Sequence, residues 1–175
     1  MSVQFKYKDV VGTAQRDLGA APDAAKATFA VASEQVDGLR SRVSARNFSI
    51  EVDEPEALAG ADTAPNPVEY VLAALASCQE ITYRLYADNL GIPLDKVSVA
   101  IEGDLDLRGF FAVDDSVRSG YEAIRADVTL EGPASEGDYA RLKEMVDAHC
   151  PVLDMLRNPV PVSLSLNTKA TVAAA

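Results

Sequence analysis

Asn66-Pro67-Val68-Glu69-Tyr70-Val71-Leu72-Ala73-Ala74-Leu75-Ala76-Ser77-Cys78 is the stretch on which the fold turns. The Asn66 side chain can accept a first-turn amide, and Pro67 suits a first helical position whose N–H has no intrahelical partner. Glu69 stands where a capping-box acid stands. A helix is therefore predicted from here to about Leu90, with Gly91 as a left-handed stop and Pro93 preventing continuation. Tyr70 to Ala76 is apolar all round, which predicts burial on every side. The second half turns amphipathic, with Ile81 and Leu85 expected inward and Arg84, Asp88 and Asn89 outward.

Upstream, residues 1–25 are poorly patterned and read as an N-terminal arm, although Val10 to Leu18 could form a helical turn or two. From Ala27 the period becomes two, with Phe29 and Val31 alternating with small or polar residues. Asp37-Gly38 predicts a type I′ hairpin turn, which needs positive φ at both central residues. Leu39, Ser41 and Val43 form one face of the next strand, opposite Arg40 and Arg42; Phe48, Ile50 and Val52 form a face of a third. An antiparallel meander with one buried face follows. Downstream of the helix, strands are expected over Val97 to Leu107 and Ile124 to Leu130, separated by an excursion that exposes Phe110 and Phe111. Ser135 and Asp138 open a helix carrying Tyr139, Leu142, Val146 and His149. Pro151 restarts the chain into a short helix over about 152–157, and Val160, Val162, Leu164 and Leu166 alternate as a final strand. The order β-β-β-α-β-β-α-α-β is an α+β fold, mostly antiparallel. A single domain over 1–175 is expected, frayed over 168–175.

The 175 residues are 48% hydrophobic and 25% charged with a formal net charge of -11, the composition of a globular chain. That charge argues against nucleic acid, whose phosphates need a basic surface, and against anionic membranes. The longest apolar stretch, Tyr70 to Cys78, falls far short of the roughly 20 residues of a membrane span. Met1 to Lys8 lacks the apolar core of a leader, so a cytoplasmic protein is expected. Cytosolic thiols stay reduced, which disfavours a structural disulfide and leaves a cycling one possible.

The chemistry then centres on the two cysteines, Cys78 and Cys150. Cys78, in the apolar half of the long helix, reads equally as a small core hydrophobe. Cys150 sits at a helix junction, where the N–H groups opening the next helix favour a thiolate. Their separation of 150 − 78 = 72 positions excludes a C-x-x-C redox motif and zinc-ligand spacing, and spacing alone does not bring them together. His149, the one histidine, could form a dyad with Cys78 for acyl transfer or hydrolysis, or simply favour a helix C-terminus. Glu69 has its capping use and could also orient an arginine. Arg40 and Arg42 lie opposite the apolar face, where solvent is the usual neighbour. Phe110 and Phe111 suit a substrate lip or an oligomer contact. Glycine-rich phosphate loops and G-x-S-x-G are absent.

The Asn66-to-Cys78 stretch resembles the signature of the OsmC/Ohr family, the osmotically induced and organic hydroperoxide resistance proteins. His149-Cys150-Pro151-Val152 resembles that family's second cysteine motif. Gly103-Asp-Leu-Asp-Leu-Arg-Gly109 and Leu156-Arg-Asn-Pro-Val-Pro-Val162 are similar to stretches of members outside the best-studied branch, so the likeness covers about 27–166. It implies an intertwined homodimer, antiparallel sheets wrapped around long central helices, and sites at the subunit interface. It also implies reduction of organic hydroperoxides without metal or cofactor: Cys78 attacks, Cys150 resolves, and an external dithiol restores both. The organic-hydroperoxide branch carries its acid directly after Asn-Pro, whereas that place is Val68 here and the acid is Glu69. Its arginine precedes the Asp-Gly turn, a place held here by Val36, so Arg40 or Arg42 would have to serve from the next strand.

Overall fold

The computed structural model describes residues 5–169. Helix α1 (Lys8–Ala20) and a 3₁₀ turn (Pro22–Ala25) lead into strands β1 (Ala32–Asp37), β2 (Arg40–Ala45) and β3 (Phe48–Val52), followed by α2 (Pro67–Leu90). Strand β4 (Lys96–Asp104), the short helix α3 (Leu107–Phe110) and β5 (Ala123–Glu131) come next, and α4 (Glu136–His149) and α5 (Pro151–Arg157) complete the series. Strands β1-β2-β3 form one antiparallel sheet, with Val43 opposite Ile50, and β4-β5 form another, with Val99 opposite Val128. The architecture is α+β, with antiparallel sheets and one long helix, as the pattern predicts.

The long helix is capped as its sequence dictates. The Glu69 amide donates to Asn66 Oδ1 at 2.9 Å, and the Asn66 amide donates to Glu69 Oε2 at 2.8 Å, so two otherwise unpaired donors are satisfied reciprocally. At the other end Gly91 is left-handed at φ 67°, and the Ile92 amide reaches back to the Ala87 carbonyl at 2.9 Å. Before the helix, the chain from Glu54 to Thr63 folds around buried Asp53. Its carboxylate accepts the amides of Glu54, Ala61 and Thr63 and the Thr63 hydroxyl. Those bonds, the Thr63 amide foremost, hold the Asp53 carboxyl down at about 2. Two tyrosines fix α2 against the strands: Tyr70 donates to the Glu51 carbonyl at 2.6 Å, and Tyr121 donates to the Val68 carbonyl at 3.0 Å.

The closed core lies at the C-terminal half of α2, where Tyr83 and Ala87 pack with Ile92, Leu94, Leu142, Val146 and Cys150. Each fully buried aliphatic side chain there contributes about 1.5–3 kcal/mol relative to exposure. Tyr83 is sealed well enough that burial pushes its hydroxyl up to about 12. Arg84 closes the far end by donating to the carbonyls of Leu94 and Asp95.

Several expectations are corrected. Residues 8–20 form a regular helix rather than a loose arm, tied down where the Tyr7 amide donates to Asp88 Oδ2 at 2.9 Å. That bond explains why Asp88 is buried when the periodicity placed it outward, while Ile81, expected inward, is 61% exposed. In the first half of α2 only Leu75 is buried, and Val71, Ala73 and Ala74 are exposed. The hairpin turn falls one residue later than predicted, on Gly38-Leu39, and only Gly38 has positive φ. β1 starts at Ala32 rather than near Ala27, leaving Phe29 exposed. The meander is open: every β1 residue is exposed and so is Phe48. Residues 158–169 form no strand, and Val162, Leu164 and Leu166 stand in solvent, because their alternation has no ladder to join. Beyond residue 169 the expected fraying lies outside the described residues.

Candidate active site

The end of α4 and the start of α5 bring the two cysteines together. Cys150 caps both helices at once: its amide donates to the Val146 carbonyl at 2.9 Å, and its carbonyl receives the Asp154 amide at 3.0 Å. Pro151, which donates no amide, begins α5 at no hydrogen-bonding loss. Here Cys150 Sγ lies 3.3 Å from Cys78 Sγ, although 72 residues separate them in sequence. Both thiols are free. Cys150 is 1% exposed and belongs to the core, whereas Cys78 is half-buried at its edge, so Cys78 is the sulfur that solvent or a ligand can reach.

The electrostatics of Cys78 have four sources. Burial pushes its thiol up, and the neighbouring Cys150 thiol pushes the same way. The Val152 amide in the first turn of α5 and the Thr82 hydroxyl act in the opposite direction, while Thr82 Oγ1 itself donates to the Cys78 carbonyl at 2.7 Å. Helix α5 thus turns an amide onto Cys78, whereas the sequence context assigned that effect to Cys150. At 3.3 Å the Cys150 thiol stands within hydrogen-bonding reach of the Cys78 sulfur.

The other predicted residues do not converge on this pair. Glu69 spends its carboxylate on the helix cap. The Arg40 guanidinium pairs with Asp37 at 2.7 Å, and Arg42 pairs with Glu51 across β2–β3 at 2.7 Å. His149 is exposed; its Nδ1 pairs with the Met145 carbonyl at 2.8 Å, and its ring leans on Tyr86 with centroids 5.4 Å apart. No hydrogen bond from His149 to Cys78 occurs among the described residues, so the dyad is not formed. Phe110 and Phe111 are exposed as expected and pack edge-to-face at 4.9 Å. Thr82 and Gln79 were missed. Thr82 carried a signal, since it lies four residues after Cys78 and so one turn further along the same face.

Beside the pair, Leu75, Gln79 and Tyr83 of α2 form one wall of a cleft of about 510 Å³. Ile124 and Val128 of β5 and Leu153 of α5 supply much of the rest, and Arg118 and Arg157 stand at its rim. Cys78 is not part of the lining, but Leu153 belongs to the cleft and also packs against the core that holds the cysteines. Gln79 is 4% exposed, and its Nε2 has no partner among the described residues. No helix among the described residues is long and apolar enough to cross a membrane. Among the same residues no His, Cys, Asp and Glu cluster is placed to hold a metal ion.

A family model described as OsmC-like protein matches residues 60–165, a span that contains both cysteines. An uncharacterized protein of Haloferax volcanii is 28% identical over 130 residues, covering 74% of this chain and 88% of its own. In fold the chain is similar to an OsmC-like protein from Mycoplasma pneumoniae, at TM-score 0.67 and 18% identity over 77% of this chain and 90% of that one. It is also similar to a Legionella pneumophila protein named an organic hydroperoxide resistance protein OsmC, at TM-score 0.58 and 21% identity over 75% and 92%.

Proposed function

The chain belongs to the OsmC-like protein family, and from that premise we propose that it is a thiol-dependent peroxidase reducing organic hydroperoxides. The observation that carries this reading is the 3.3 Å approach of Cys78 and Cys150. The Cys78 thiolate attacks the terminal peroxide oxygen, the O–O bond breaks, and the departing alkoxide takes up a proton to leave as an alcohol. Cys78 is then a sulfenic acid. Cys150, already in van der Waals contact, attacks that sulfur as thiolate; the S–S bond forms and hydroxide leaves as water after protonation. Two electrons have passed from the thiol pair to the peroxide, and an external dithiol returns them by exchange. The exposure difference supports the division of labour, since the accessible sulfur attacks and the buried one resolves.

The aliphatic part of the cleft beside the pair, Leu75, Ile124, Val128, Leu153 and Leu156, supports an alkyl or aryl hydroperoxide over hydrogen peroxide, with charged residues such as Arg118, Lys143 and Asp147 completing the lining. Exposed apolar side chains on α2, on the meander and along 160–166 support a homodimer in which a second copy covers them. Glu69, Arg40 and Arg42 are engaged elsewhere in the single chain, so this reading gives them no direct part in the chemistry.

A second reading has its own observation. Because Cys78 does not line the cleft, the cleft would accept a small hydrophobic ligand with no thiol chemistry at all. Stopped-flow oxidation with cumene hydroperoxide and with hydrogen peroxide separates the two. The parent thiols are expected to react far faster than a free thiol, with cumene hydroperoxide preferred. If they react no faster than a free thiol, while ligand binding survives Cys78→Ser, the peroxidase reading is lost and the carrier reading stands.

A further inference from the structure

We propose that the cleft beside α2 is a binding site for an aliphatic carboxylate, with Gln79 as the hydrogen-bond donor to its head group and the guanidinium groups of Arg118 and Arg157 as its counter-charge. Gln79 lines this cleft of about 510 Å³ and is only 4% exposed, yet its Nε2 has no hydrogen-bond partner among the described residues. A buried donor without a partner has lost its hydration with no compensating bond, and native chains keep few of them. An apolar side chain of the same length would fill that wall without such a loss. The amide turns over a broad range about its terminal side-chain bond, so an acceptor entering the cleft can draw the donor to it. Two neighbouring polar groups are already engaged: Tyr121 donates to the Val68 carbonyl at 3.0 Å, and Lys143 pairs with Asp147 at 2.5 Å.

The shape and charge of the cleft select the acceptor. Leu75, Ile124, Val128, Leu153 and Leu156 suit an aliphatic chain, and the volume lies in the range of small-molecule sites. Around them stand three cations, Arg118, Lys143 and Arg157, and two carboxylates, Glu122 and Asp147. Lys143 and Asp147 neutralise each other, and neither Arg118 nor Arg157 forms an ion pair among the described residues. The cleft therefore keeps a positive excess in a chain of formal net charge -11. Such a local excess draws anions in and turns cations away. An aliphatic carboxylate answers all three features, accepting from the amide, meeting the guanidinium groups and covering the aliphatic wall. Cys78 is not among the lining residues, so filling the cleft requires no thiol chemistry.

The inference deepens the ligand-binding reading of the cleft and does not depend on the peroxidase reading. Binding of sodium octanoate and of octylammonium chloride to the full reduced chain is measured by titration calorimetry, with no peroxide present. Octanoate is expected to bind, and octylammonium to bind at least about tenfold more weakly. Gln79→Met keeps the length of the side chain and removes the donor. It is expected to weaken octanoate about tenfold while the urea midpoint stays or rises. Arg118→Gln combined with Arg157→Gln should weaken octanoate about threefold and flatten its dependence on salt. A further measurement needs no variant: the side-chain amide resonances of Gln79 in isotopically labelled parent are expected to shift as octanoate is added. Equal binding of the two amphiphiles overturns the proposal. So does an octanoate affinity unchanged in Gln79→Met, a Gln79 resonance unmoved by bound octanoate, or a parent that binds no octanoate because a second copy covers the cleft. A chain that reduces hydroperoxide yet binds no octanoate would keep the peroxidase reading and lose this site, and the reverse result would keep the site alone.

Discussion

The two ends of α2 stand in different conditions. From Cys78 to Leu90 the helix is packed by α4, β4 and the start of α5, and the sulfurs meet inside that packing. From Pro67 to Ser77 the same helix is held chiefly by hydrogen bonds, at the Asn66–Glu69 cap and from Tyr70 and Tyr121, and of its apolar side chains only Leu75 is buried. The open end adjoins the meander, whose β1 is exposed throughout. The difference teaches that the thiol pair is assembled by contacts within one chain, whereas the apolar surface of the remaining half is in excess of what one chain covers. On the proposed reading, chemistry and assembly would belong to different halves of the molecule, and each could be disturbed with little effect on the other.

The largest effect should come from the closed half. Cys78→Ser is expected to reduce peroxide turnover to background, while Cys150→Ser should allow one rapid oxidation without steady-state turnover. Sulfenic acid trapping by dimedone would distinguish them, and steady turnover in either variant would break the assignment. Next comes packing: Leu142→Ala is expected to destabilise the chain by about 2–5 kcal/mol in urea unfolding. By contrast Leu164→Glu, placed at a side chain 94% exposed, should leave intrinsic thiol reactivity unchanged and shift sedimentation from dimer to monomer. Loss of thiol reactivity at an unchanged sedimentation coefficient would contradict the proposed separation of the halves.

A smaller effect is expected at the cap. Asn66→Ala should lower stability by about 1 kcal/mol, read from the thermal midpoint, with the alkylation rate of Cys78 unchanged. The mildest effect concerns pH. The Asp53 carboxyl is held at about 2 in the folded chain against an ordinary 3.8, so its contribution is complete above about pH 4 and is lost as pH falls towards 2. Asp53→Asn should flatten stability across that interval. A parent and variant with parallel acid profiles would show that the 53–63 loop is held by other means.

The capped helix was the most legible part of the sequence, because Asn66, Pro67, Glu69 and Gly91 act locally and each has a narrow set of structural uses. Strand alternation located β2, β3, β4 and β5 for the same reason. Ile81 and Asp88 depart from the pattern because periodicity assigns one inward face, whereas Tyr7, capping α1, donates its amide to Asp88 and no element among the described residues covers Ile81. The 160–166 stretch was misread because alternation reports a capacity to pair and not the presence of a partner strand. The meeting of Cys78 and Cys150 was not legible from spacing; it depends on how α4 packs along α2. Motif likeness supplied it, and the 3.3 Å separation agrees. The resemblance also suggested roles for Arg40 and Arg42 that their ion pairs with Asp37 and Glu51 do not support in the single chain.

The junction at Cys150 has a further consequence, in the statistics of the unfolded chain. A bond between residues 78 and 150 would close a loop of 72 positions, and fixing a loop that long removes enough conformational freedom from the denatured ensemble to stabilise the fold by about 4 kcal/mol. Oxidised and reduced forms would then share one architecture and differ in endurance. The oxidised form would survive heat and proteases that unravel the reduced one, so the molecule would be most durable while it holds an unreturned pair of oxidising equivalents.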